Sequence, residues 1–105
     1  ATNGEAYYTR KSEIHAFAVN AAELFIQGDI VSLETILMNY IAIGVESKKV
    51  RNKFFRLYSE ALQERGLSPS DVSEHVKQIY SQIYPKVKQM IMATKQEVKE
   101  YLKEE

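Results

Sequence analysis

The sequence contains no cysteine, which excludes disulfide frameworks, thiolate metal sites and cysteine nucleophiles and leaves packing alone to hold the chain together. That absence also fits a reducing compartment, so a cytoplasmic location is the expectation. Glycine and proline are scarce, four and two in 105 residues, and the alternating apolar and polar runs that mark strands are missing. Net charge is missing as well. Fourteen basic residues balance fourteen acidic ones, so a charged partner must be drawn by a local patch and not by the molecule as a whole. The longest apolar stretch, residues 36–45, is interrupted by Asn39 and reaches only about half of the roughly 20 residues that cross a bilayer. Residues 1–6 lack the basic and apolar segments of a secretory signal, and a soluble chain with no membrane partner is expected.

What is present is helical periodicity over one domain's length, with a hydrophobic content of 45% that suffices for one core. Thr9 or Ser12 is placed to cap a first helix running to Gln27, with Ile14, Phe17, Ala18, Ala21, Leu24 and Phe25 at three- and four-residue spacing and Gly28 to end it. Asp29 caps a second helix, carrying Leu33, Ile36, Leu37, Tyr40 and Ile41 on one face until Gly44 stops it. Ser47 caps a third, with Val50, Phe54, Leu57, Tyr58, Ala61 and Leu62 inward and Gly66 at its end. Ser68 and Pro69 open a fourth, in which the apolar phase runs from Val72 to Tyr101 across Pro85. Unbroken phase favours one long helix kinked at Pro85 over two helices separated near Tyr84. The predicted class is all-α: a single-domain bundle of four or five helices over residues 1–105, with residues 1–9 a flexible start and residues 97–105 a projecting helix end.

Only the third helix suggests a job. Between Lys48 and Gly66 there are six basic and two acidic residues, and five of the basic ones fall within the first nine positions. A helix N-terminus is already partly positive, so Lys48, Lys49, Arg51 and Lys53 there cost roughly a few tenths of a kcal/mol each. An anionic partner would offset that cost, because free amides and cationic side chains at a helix start both point toward it. Arg56 and Arg51 reach phosphate or guanine, and Asn52 can offer its amide to a base edge. The order Ile43, Gly44, Val45, Ser47, Val50 and Phe54 resembles the turn and recognition helix of helix-turn-helix DNA-binding domains. The likeness spans residues 39–58, and it implies a DNA-binding regulator whose helix 47–65 presents Lys48, Lys49, Arg51, Asn52, Lys53 and Arg56 to nucleic acid, DNA before RNA. Tyr40 departs from that family, which usually has a small residue there to let the two helices cross closely.

The C-terminal helix carries an independent expectation. Past Pro85 it keeps an apolar surface, and Met90, Val98, Tyr101 and Leu102 are candidate contacts to a second copy of the chain. A homodimer serves either reading, a two-half-site DNA-binding regulator or a helical protein-interaction and assembly module. Chemistry finds little purchase. His15 and His75 have no partner at helical spacing for a metal pair, and no phosphate loop or nucleophile elbow occurs, so no enzyme, cofactor, metal or small-molecule substrate is expected. Tyr40, Tyr58 and Tyr80 fall in apolar phase with hydroxyls expected to reach water, and Tyr7, Tyr8 and Tyr84 are expected at the surface.

Overall fold

A computed structural model describes residues 9–104, and among them the chain forms four α-helices and no strand. These are α1 (Lys11–Gln27), α2 (Ile30–Glu46), α3 (Lys48–Glu64) and α4 (Pro69–Glu104). The expected bundle with one long C-terminal helix is the fold. The expectations for residues 1–8, Tyr7 and Tyr8 included, lie outside the described residues.

Local chemistry sets most boundaries. Gly28 and Gly66 adopt positive φ, 81° and 103°, and close α1 and α3. In each, the glycine amide bonds the carbonyl three residues back and the next amide bonds the one five back, which satisfies the orphan carbonyls of the last turn. Side-chain oxygens of Asp29, Ser47 and Ser68 accept from the amides of Ser32, Val50 and Asp71 and so start α2, α3 and α4.

Three expectations need correction. The cap position of α1 is Arg10, in extended backbone, whose own side chain bonds none of the free amides, so the helix starts between the two expected caps, Thr9 and Ser12. Gly44 does not end α2. The helix runs through it to Glu46, and Ser47 alone separates α2 from α3. Its glycine has a steric origin: a Cβ there would lie 2.8 Å from Cβ and 2.5 Å from Cδ of Arg51, so the absent side chain makes room for an arginine stem on the next helix. Tyr40 and Tyr58 do not reach water either; both are fully buried, and the Tyr58 hydroxyl meets His75.

α1 and α3 run side by side in one direction, fixed at their ends by an Arg65–Glu23 ion pair of 3.1 Å. α4 returns against α3, with Tyr58 opposite His75 and Phe55 opposite Tyr80. The core is an aromatic ladder. Tyr40 of α2 stacks flat on Phe54 of α3, ring centroids 4.0 Å apart, and Phe17 of α1 tilts against Tyr40 at 6.1 Å. Phe54 in turn lies parallel to Tyr58 at 6.0 Å. These rings bury large apolar area and fix the spacing of three helices at once.

α4 is one helix across Pro85. Proline offers no amide to the carbonyl of Ser81, but Ser81 and Pro85 are both exposed, on the side of the helix where solvent can take the place of the missing partner. Thirty-six residues rise about 54 Å, whereas the 17-residue helices rise about 25 Å. The long axis of the molecule, 56 Å, is therefore the length of α4, and residues 92–103 are all exposed.

Candidate nucleic-acid interface

α3 divides its residues as a helix period of 3.6 requires. Phe54, Tyr58, Ala61 and Leu62 are buried, and Lys48, Lys49, Asn52 and Arg56 are exposed on the opposite side, with Lys53 half-buried beside them. No acidic residue lies in the first turn, so nothing on the helix itself neutralises its positive end.

A fifth cation joins from another helix. Lys11, in the first turn of α1, lies close enough to Lys53 to act on its charge together with Arg56 and Lys49. The Lys53 ammonium is held below the ordinary lysine pKa, first by partial loss of hydration and then by these three like charges. Among the described residues, none of the four is in an ion pair. The sequence points to Lys11 only once α1 and α3 are known to run in parallel.

Arg51 is placed differently. Its stem packs over Gly44, its guanidinium donates to the Tyr80 hydroxyl at 3.1 Å, and the same group lies 5.7 Å from the Tyr80 ring centroid. It ties the start of α3 to the first third of α4. Phe55 is likewise drawn in, edge-on to Phe54, Tyr58 and Tyr80 at 5.3 to 6.5 Å, where the periodicity alone puts it on the outer face.

Inside the bundle Tyr58 and His75 form a polar pair, 2.7 Å from hydroxyl to Nε2. Burial raises the Tyr58 pKa above its ordinary range and lowers that of His75, so both are neutral and the phenol hydrogen is available to the ring nitrogen. Phe25 covers the imidazole at 4.2 Å. Among the described residues no group of three or more His, Asp or Glu has the geometry to hold a metal ion.

Among the other expected contacts, Met90, Val98, Tyr101 and Leu102 are all more than half exposed on α4. No described helix is long and apolar enough to cross a membrane. The fold and the cationic face together define a small helical bundle with a basic surface on α3 that no ion pair among the described residues neutralises. The chain matches no family model, no curated protein and no solved structure.

Proposed function

We propose that the protein binds nucleic acid, duplex DNA before RNA, through the outer face of α3, as a small DNA-binding regulator. The observation that carries this reading is the cluster of Lys11, Lys49 and Arg56 around Lys53, four cations from two helices, none of them in an ion pair among the described residues. Crowding of like charge is costly in isolation and favourable beside a phosphate backbone, which neutralises several cations at once and releases its own counterions. Lys48 and Asn52, exposed on the same face, extend the surface toward the helix start. Duplex is favoured over single strand because Phe55 and Tyr80 are engaged with each other and offer no stacking platform beside the cations. Arg51 serves this surface as a positioning residue, since its guanidinium is committed to Tyr80.

The test replaces Lys49, Lys53 and Arg56 together by Glu and leaves Arg51 in place. Binding to random-sequence duplex in a gel shift at low salt should be lost, with the circular dichroism spectrum unchanged. In the wild type the affinity should fall with salt at a slope near −0.9 per phosphate contacted. A wild type that binds no duplex, or a triple variant that binds as well as wild type, removes the proposal. Tighter binding to duplex RNA than to DNA moves it to RNA.

A second reading, a self-assembly module, rests on a separate observation: the last turns of α4 project from the bundle with Val98, Tyr101 and Leu102 open to solvent. Exposed apolar residues grouped along one helix are a common mark of an interface.

A further inference from the structure

Beside the projecting end of α4 lies an open groove of about 400 Å³ between α2 and α4, lined mainly by Met38, Ala42, Met90, Ile91 and Thr94. The stripe of α4 that closes the core does not stop there. Val87, Ile91, Thr94, Val98 and Tyr101 follow one another at spacings of four, three, four and three, the pattern of a helix-pairing seam. Val87 is buried by its own chain, Ile91 is half-buried, and from Thr94 onward nothing of the described chain covers the seam.

From this geometry we infer that the groove receives the projecting α4 end of a second copy, the two helices pairing antiparallel about a two-fold axis near Thr94. The inference deepens the assembly reading above and rests on it. A two-fold about Thr94 sets Met90 against the partner's Val98, and Val98 against the partner's Met90, so each copy supplies both the groove and the helix that fills it. Charge selects the direction. Residues 86–95 hold Lys86, Lys88 and Lys95 and no acid, whereas residues 97–105 hold four glutamates and two lysines. Antiparallel pairing lays the basic segment of each helix along the acidic segment of the other, and Lys86 and Glu100 fall on the same flank of the seam. Parallel pairing stacks like on like. Near the axis Lys95 approaches its symmetry mate on one flank, and its long stem lets the ammonium swing out to water.

Sedimentation of the intact chain over a concentration series tests the assembly, and cysteine cross-linking of a protein with no native cysteine tests the direction. The wild type should dimerise. V98K/L102K, altered where the chain covers nothing of its own, should be monomeric with an unchanged circular dichroism spectrum. A42R, which blocks the groove, should weaken the dimer by about a hundredfold or more. Under mild oxidation T94C should form a covalent dimer and Y101C should not, because antiparallel pairing holds the two copies of residue 101 about 21 Å apart along the axis, beyond disulfide reach. A monomeric wild type overturns both this inference and the assembly reading. A dimer in which Y101C cross-links as readily as T94C, or in which T94C fails, overturns the antiparallel groove and leaves the assembly reading standing.

Discussion

Up to Val87 the inner face of α4 is closed: Val72, Ile79, Ile83 and Val87 are at most 8% exposed, each against the other helices. Beyond Ile91 the same face, in the same helical phase, is open, and Val98 and Tyr101 are 52% and 62% exposed. Sequence periodicity is equal in the two parts. The difference lies in what stands opposite, because α1, α2 and α3 have 17 residues each and α4 has 36. Amphipathic period thus says which side of a helix is apolar, while the lengths of its neighbours say whether that side is buried. An apolar stripe left without a neighbour is then a statement about a partner.

The sharpest way to break this comparison is to truncate one side chain in each part. Phe54, fully buried between Tyr40 and Tyr58, should cost about 3–5 kcal/mol on F54A, by lost transfer energy and a cavity that stacked rings cannot collapse to fill. V98A, at a concentration where the chain is monomeric, should change stability by less than about 0.5 kcal/mol. Urea denaturation of both variants measures the contrast. Comparable losses would mean that the end of α4 is packed in the monomer after all.

How much was legible beforehand follows from the same physics. Helix number and most caps were readable, because glycine at positive φ and a side-chain oxygen before a helix act locally and leave local marks. Gly44 looks like a stop for the same reason: in sequence a glycine required by a neighbour's bulk cannot be told from a glycine required by a turn. Arg51 illustrates the converse. Its position three residues before Phe54 and seven before Tyr58 puts it on the inner side of α3, and basic composition drew it into the outer set with Lys49 and Lys53. Lys11 was out of reach, since its contribution depends on the parallel run of α1 and α3. The Tyr58–His75 pair joins residues 17 apart in sequence on two different helices and has no periodic signature.

A middle-sized effect tests that account of Gly44. In an open helix Gly→Ala stabilises by about 1 kcal/mol. At Gly44 the added methyl meets the Cβ of Arg51, which cannot swing away as a side-chain terminus can, so α2 and α3 must part or Arg51 must leave Tyr80. Net destabilisation of about 1–2 kcal/mol is expected for G44A, after the propensity gain is set against overpacking. Thermal melts of G44A and of the double variant G44A/R51A decide it: removing the arginine beyond Cβ relieves the contacts at Cγ and Cδ and should recover part of the loss. A G44A that melts above wild type would return Gly44 to an ordinary turn residue.

The smallest expected effect belongs to His75, in the closed part of α4. Its folded pKa is lowered by burial from the ordinary 6.5, so as pH falls the unfolded chain takes up the proton first. Stability from this group is complete above about pH 6.5 and drains as pH falls from there to the folded value, below which both states are protonated and the loss levels off. Two features of the site add to the direction: Phe25 covers the ring, and a protonated Nε2 becomes a donor, so the Tyr58 hydroxyl must turn its hydrogen away and accept. Melting temperature measured through this window should therefore decline for the wild type and decline less for H75Q, which keeps a polar group without a titrating proton. Equal slopes in the two proteins would place the acid sensitivity outside the closed half of α4.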